Sequence, residues 1–314
     1  HLFSTYGIEN MLNAMDGVFA MVIYDSTQRK VFMARDPYGV RPLFYGYRGE
    51  QDIIFASEHK AIPSGYTVNV FPPGMYTVMD MTALKRPVFV RYHDFPNIGK
   101  DETLSYEQSC ERVRTQLINA VHKRVHGERG VGFLLSGGLD SSVVCAIASK
   151  VMTSKLNTFS IGFKDSPDMV AAKQVAEYLE TNHTEIVVSE QEALESINEV
   201  IEAIESYDVT TVRASVWNYL AARHVSTKTN IKILLNGDGA DEVCGGYRYL
   251  HNAPTDDEWS AECTKLLTDI HYFDVLRSDR CVASRWKLEG RSPFLDKSFV
   301  DSYLHVPVKY RTSI

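Results

Sequence analysis

"GFLLSGGLDSSVVCAI", residues 132–147, joins an apolar strand-like run to an apolar helix-like run through two glycines, three serines and a single aspartate. A glycine-rich turn between a strand and a helix is where backbone N–H groups and the helix dipole converge on an anion. Asp140 stands in that turn, where its carboxylate would repel the anion. The loop lacks the lysine of a GxxxxGK[ST] phosphate loop, so any phosphates are presented differently. Taken alone, a strand–SGG–helix turn serves equally well as a tight connection.

Around this stretch the chain alternates strand and helix. Upstream, Ser105 and Gln108 form a capping-box signature before Val113, Leu117, Val121 and Val125 on one helical stripe. The pattern then predicts a strand at 131–135, a helix at 141–151, and a strand at 158–163. Ser166-Pro167-Asp168 opens a helix to 179, with proline at its first position. A strand at 185–188 leads to a second capping box, Ser189 with Glu192, and a helix carrying Leu194, Ile197, Ile201 and Ile204. A helix at 215–225 and a strand at 231–235 follow, ending in "NGDGADE". Near-continuous apolar strands between helices imply a doubly wound parallel sheet covered on both faces. Residues 17–92 read differently, as short antiparallel strands such as "VFAMVIYD", "KVFMARD", "PLFYGYRG" and "DIIFASE". The polar stretch "HDFPNIGKDET", 93–103, reads as a linker. The expected division is a first domain at 1–94, a linker at 95–104 and a second domain at 105–314.

The bulk properties are those of an ordinary globular protein, 314 residues with 44% hydrophobic and 23% charged side chains. A net charge of −7, with scattered Lys and Arg, argues against a nucleic-acid partner. Five cysteines without CxxC spacing read as reduced thiols of a cytoplasmic protein. No apolar run is long enough for a membrane span, and the start "HLFSTYGIEN" has no signal-peptide pattern. It also lacks an initiator Met, so the chain is expected to begin partway through a larger protein.

Ligands of an open parallel sheet bind outside the carboxyl ends of its strands. Here "SGGLDSS", "GFKDSPD" and "NGDGADE" occupy three such ends and are expected to converge. Convergence would bring Asp140, Asp238, Asp241 and Glu242 beside a phosphate nest, an arrangement that makes sense with a divalent cation such as Mg²⁺ between carboxylates and phosphates.

"LLSGGLDSS" resembles the pyrophosphate loop of the N-type ATP pyrophosphatases. Within them the chain resembles the glutamine-hydrolysing asparagine synthetases of the class B type, through "TFSIGF", "SPDMVAAKQVA", "ESYDVTTVRAS", "GDGADEVCGGYRYLHNAP" and "RSPFLD". Upstream, "NAMDGVFAMVIYDSTQRKVFMARDPYGVRPLFYG" and "FASEHKAI" are similar to the later half of an N-terminal-nucleophile glutamine amidotransferase domain. The resemblance thus implies an α/β chain: a partial amidotransferase β layer, then a doubly wound ATP pyrophosphatase domain. The family's N-terminal cysteine nucleophile, its glutamine-binding strings and a downstream pyrophosphate-contacting lysine have no counterpart in this sequence.

By this resemblance Leu135, Ile161, Asn236 and Gly237 line the adenosine site, and Ser136, Gly137, Gly138, Ser141 and Ser142 cradle the pyrophosphate. Leu135 and Ile161 serve equally as core strand residues. Asp140 and Asp241 are the Mg²⁺ ligands, with a helix cap the bland alternative for Asp241. Thr210, Thr211 and Arg213 form the aspartate and phosphate region; Arg213 offers a planar fork to a carboxylate, or is a surface helix residue. Asp238 and Arg213 are the candidates for the chemical step. Asp238 stands where the family usually carries a glutamate, and Asn236 and Ala240 stand where it commonly carries serines. His122 and His126, one helical turn apart, lack a third ligand and read as a solvated helix end. The implied activity is ATP-dependent amidation of aspartate through β-aspartyl-AMP, with ATP, Mg²⁺, aspartate and glutamine or ammonia as cofactors and partners, and a homodimer as a further partner. The alternatives are a β-lactam-synthetase-like relative, which would place a tyrosine–glutamate pair at its second step, and a non-catalytic nucleotide-binding fragment.

Overall fold

The computed structural model describes residues 1–49, 52–83, 85–95, 103–127 and 129–312, so residues 96–102 of the expected linker lie outside the described residues. The chain divides into two compact units, His1–Pro96 with Thr268–His271, and Asn97–Leu267 with Tyr272–Ile314.

The first unit opens with a helix that the strand pattern does not announce, α1 (Leu2–Ala14). Seven strands follow: β1 (Ala20–Asp25), β2 (Lys30–Arg35), β3 (Phe44–Arg48), β4 (Asp52–Ala56), β5 (Thr67–Val70), β6 (Met75–Asp80) and β7 (Phe89–Arg91). They form not one sheet but two antiparallel ones, in the orders β1-β2-β6-β7 and β4-β3-β5. The two-residue period of a strand divides their side chains. Phe32 and Ala34 of β2, with Tyr76 of β6, face Phe3, Met11 and Leu12 of α1. Val31 and Met33, with Met79, pack instead with Tyr45, Ile53 and Phe55 of the smaller sheet. The string RDPYG ties down the turn after β2. Buried Asp36 accepts backbone N–H groups of Tyr38, Val40 and Arg41 at 2.9–3.1 Å, while Arg35 donates to the carbonyls of Gly39, Arg41 and Phe71.

In the second unit α2 (Tyr106–Arg124) starts at Ser105, and the capping box with Gln108 forms in both directions. Then come β8 (Gly130–Leu134), α3 (Leu139–Val151), β9 (Asn157–Gly162), α4 (Pro167–Tyr178) and β10 (Asn182–Val187). The helix expected after Ser189 is broken at Ser196 into α5 (Glu190–Glu195) and α6 (Ile197–Ile204). α7 (Val209–Lys228) begins six residues before its expected start. β11 (Ile231–Leu235), α8 (Ala240–Cys244), α9 (Asp256–Asp269), α10 (Asp274–Arg277), a π-helix (Ser278–Ser284), β12 (Glu289–Arg291), α11 (Lys297–Leu304) and α12 (Val308–Arg311) complete the chain.

The sheet of this unit is parallel, in the order β10-β9-β8-β11-β12. Counted from β8, that is 3-2-1-4-5, the doubly wound order, and its switch point lies between β8 and β11. Phe159, Ile186 and, on either side of a register shift in β11, Ile231 and Leu234 pack with Val200 and Ile204 of α6, Tyr219 and Leu220 of α7, and Cys281 and Val282 of the π-helix. On β9 the intervening Thr158 and Ser160 hydroxyls hold the two ring nitrogens of His183, at 2.9 and 3.0 Å. Asp296 of "RSPFLD" is structural. It caps α11 through the N–H groups of Ser298 and Phe299 and is 2.7 Å from Arg124 at the end of α2.

Candidate active site

A cavity of about 600 Å³ opens at the carboxyl ends of β8, β9 and β11, at the switch point. The loops that were expected to converge do so. Leu135, Ser136, Asp140 and Ser141 come from the first, Ile161, Ser166 and Asp168 from the second, and residues 236–242 from the third. Two glycines allow the approach. Gly137 has φ of 81°, and a Cβ there would lie 2.5 Å from the Ala171 carbonyl carbon of α4. A Cβ on Gly237 would lie 2.9 Å from the Asp140 Cβ and 3.0 Å from the Ser141 nitrogen. The third loop therefore rests directly on the first turn of α3.

That turn is open to an anion. Gly138 occupies the N-cap without a side chain to cap the helix, leaving N–H groups for a ligand. Ser136 and Ser141 bond to each other, Oγ to Oγ, at 3.0 Å, and Ser136 Oγ accepts the Gly138 N–H at 3.3 Å. The Ser142 hydroxyl is buried and has no hydrogen-bond partner among the described residues. Gly137, Gly138 and Ser142 do not line the cavity.

A group of acids borders the same cavity, one of them, Asp140, within that first turn. Asp140, Asp238, Asp241 and Glu242 all line the cavity. Burial, then the charge of Asp241, push the Asp140 carboxyl above its ordinary value. Burial also raises Asp241, against the opposing charge of Arg277. Glu242 is almost wholly buried, and burial raises it as well; Tyr247 donates its hydroxyl to that carboxylate. Asp140 and Asp241 thus supply two hard oxygen donors that repel each other, a donor set that suits Mg²⁺ completed by phosphate and water. Among the described residues no group of three or more His, Cys, Asp or Glu is placed to hold a metal by itself. Asp238 accepts the Asn236 side-chain amide at 2.6 Å, and Asn236 accepts the Ser292 hydroxyl at 2.8 Å.

The other predicted residues are placed elsewhere. Thr210, Thr211 and Arg213 do not line this cavity. Arg213 borders a second, mostly apolar one of about 620 Å³, which shares Phe163 and Trp217 with the first. The rings of Phe163 and Trp217 meet edge-on at 5.1 Å. Thr210, on the first turn of α7, and Arg213, just past it, are exposed. The Thr211 hydroxyl, offered as a donor to substrate, is committed to Asp208, the N-cap, at 2.8 Å. The turn before α7 is anchored from below, where the wholly buried Arg280 of the π-helix meets Glu205 at 3.1 Å.

Sequence reasoning missed Asp274, Arg277 and Tyr247. Asp274 accepts the Gly239 N–H at 2.9 Å and pairs with Arg277, which lines the cavity and brings a positive charge to Asp241. Only the spacing of Asp274 and Arg277, one helical turn apart, hinted at a pair.

The sequence profile of the asparagine synthase family matches residues 112–262 and 251–313. The chain belongs to the asparagine synthase family. A glutamine amidotransferase domain profile matches residues 1–110. Among relatives, the glutamine-hydrolysing asparagine synthetases of Gallus gallus and Homo sapiens are each 38% identical, over 99% of this chain and 60% of theirs. A probable asparagine synthetase of Acanthamoeba polyphaga mimivirus is 39% identical over 97% of this chain and 59% of its own length. The chain therefore spans about 60% of the length of these members of the asparagine synthase family. Among solved structures, a glutamine-dependent NAD+ synthetase from Acinetobacter baumannii has a TM-score of 0.34 and 19% identity, covering 64% of this chain and 38% of that one, a likeness too loose to bear on the site.

Proposed function

We propose that the chain carries the synthetase site of an ATP-dependent amide ligase. The β-carboxylate of aspartate attacks the α-phosphate of ATP and displaces pyrophosphate. Ammonia, free or derived from glutamine, then converts β-aspartyl-AMP to asparagine and AMP. The observation that carries this reading is the cavity at the switch point, where an uncapped helix start meets an acid cluster. The names of the relatives support the choice of aspartate.

In this reading the first turn of α3 and the hydroxyls of Ser136 and Ser141 hold the phosphates, with Gly137 and Gly138 setting the turn. Leu135, Ile161 and Gly237 border the nucleoside. Asp140 and Asp241 hold Mg²⁺, which would offset phosphate charge and resolve the conflict posed by a carboxylate in an anion site. Asp238 faces the reacting centre. Arg213, from the neighbouring cavity, and exposed Thr210 beside it on α7 are offered to the carboxylates of aspartate. The fixed groups act through orientation and charge placement rather than covalent chemistry. We place the protein in the cytoplasm, which its five free cysteines support; among the described residues no helix is long and apolar enough to cross a membrane. A homodimer is a further proposal, open to sizing in solution.

A second reading has one observation in its favour. Tyr247 and Glu242 form a tyrosine–glutamate pair at the cavity, as a β-lactam-forming relative would use, although the relatives' names do not favour it. The test is pyrophosphate release by the purified chain with Mg-ATP, ammonium and single amino acids. Aspartate-dependent release accompanied by asparagine is expected. Release with another carboxylate would shift the reading to the alternative substrate, and nucleotide binding with no release would leave a binding protein.

A further inference from the structure

We propose that Asn236 is a positioning residue that fixes the Asp238 carboxylate at the cavity and is itself fixed by Ser292. This deepens the reading of the cavity given above and rests on it. Asn236 follows β11 directly and is buried. Its backbone N–H is held by the Arg291 carbonyl at 3.2 Å, so the residue is locked to the end of β12. Both ends of its amide are engaged. Oδ1 accepts the Ser292 hydroxyl at 2.8 Å, and Nδ2 donates to Asp238 Oδ2 at 2.6 Å. The orientation is over-determined, because a carboxylate only accepts and so requires the NH₂ group, while a hydroxyl can donate to the oxygen. At 2.6 Å the contact is short for an N–H···O bond.

The lengths of the two side chains match. Asparagine reaches one atom farther than serine, and aspartate falls one carbon, roughly 1.5 Å, short of glutamate. Asn236 and Asp238 are bonded to each other, so shortening the amide or lengthening the acid by one atom breaks the fit, and making both changes together restores it. The pair holds a short acid that would otherwise move among rotamers beside the reacting centre. Asn236 thus acts on the chemistry through Asp238, rather than as a contact of the nucleoside.

The test combines two cycles on the whole chain. In single-turnover pyrophosphate release at saturating ATP and aspartate, Asn236→Ser should slow the rate by about 100-fold, the cost of a positional error near 1 Å. Its Mg-ATP affinity should stay within about threefold. Adding Asp238→Glu to Asn236→Ser should recover most of the rate, because the longer acid regains the serine, whereas Asp238→Glu alone should slow it. An unchanged rate in Asn236→Ser, or no recovery in the double variant, overturns the proposal. The second cycle needs no substrate. Thermal melting of Asn236→Ala, Asp238→Ala and their double variant should be non-additive, and additive shifts would mean that the contact is absent. A wild-type chain that melts with coupling but releases no pyrophosphate with any amino acid sinks the functional reading and the kinetic role together, and leaves only the contact.

Discussion

A methyl group added at Gly237 tests whether the candidate site depends on two loops touching. The new carbon would stand 2.9 Å from Asp140 Cβ and 3.0 Å from the Ser141 nitrogen, where carbon pairs settle at about 3.5–4.0 Å. The residue's φ is not in the left-handed region, so crowding is the whole effect. Neither neighbour is the free end of a flexible side chain; both belong to the first turn of α3. The loops must therefore part by roughly 0.5–1 Å, and overpacking of this kind costs about 1–3 kcal/mol. For a unit of this size each kcal/mol lowers the melting temperature by about 2–4 °C. If the glycine turn holds phosphate as proposed, its displacement from the acids by nearly 1 Å should reduce pyrophosphate release by about 100-fold. Gly46→Ala is the control, since its Cβ would meet Ile54 and Ile62 at 3.1 Å in the other unit. It should lower the melting temperature and leave Mg-ATP affinity, measured by calorimetry, where it was. A Gly237→Ala chain that melts lower yet binds Mg-ATP and releases pyrophosphate like wild type would refute the idea that this contact sets the site.

Three further outcomes follow from other parts of the second unit. Asp140→Asn should weaken ATP binding in the presence of Mg²⁺ by tenfold or more, roughly, and strengthen it without the metal, because the carboxylate repels bare phosphate; titrations that lack this reversal set the metal assignment aside. Burial alone would raise the Asp296 carboxyl, but the Arg124 hydrogen bond and the charges of Arg124 and Lys123 outweigh it and hold the group below its ordinary 3.8. Its contribution is therefore complete above about pH 4 and is lost as the pH falls through the depressed folded value, so Asp296→Asn should cost about 3 kcal/mol at pH 7 and flatten the acid limb of the stability curve. Glu205→Gln takes a counter-ion from the wholly buried Arg280 and should cost about 3–5 kcal/mol, with the double variant Glu205→Leu/Arg280→Met recovering part of it; a melting temperature within 1 °C or so of wild type would show that the pair does not anchor the turn before α7.

What could be read in advance was local. The strand–SGG–helix unit lies within two residues of its expected bounds, since an apolar run, a glycine turn and a second apolar run leave few other conformations. The Ser105 and Ser189 caps were legible for the same reason, because each signature spans only four residues. The start of α7 was hidden by Val209, Thr210, Thr211 and Val212, whose branched side chains weigh against a helix, while Asp208, the cap, went unweighed. α1 lies ahead of residues 17–92, where the strand reading begins, and β12 has no apolar pattern to mark it. The position of Arg213 on a separate cavity and the approach of Asp274 to Gly239 could not be read at all. They depend on which segments the sheet order and the α10–π-helix segment make neighbours, and residues about 35 positions apart give no periodic sign of meeting.

The strand order also carries a consequence for how the protein acquires its site. β8 and β11 are adjacent, with Gly132 opposite Leu234, although two other strands and five helices intervene in the chain. A growing or refolding chain therefore has its glycine turn and the first turn of α3 well before the opposing acids arrive. Closing a loop of roughly 100 residues is an entropic cost met only when β11 docks, and such distant pairings are slow. Nucleotide-dependent protection from hydrogen exchange or proteolysis should then appear late and all at once. A polypeptide ending before Ile231 would keep the glycine turn and the start of α3 without the loop at residues 236–242 that rests on them.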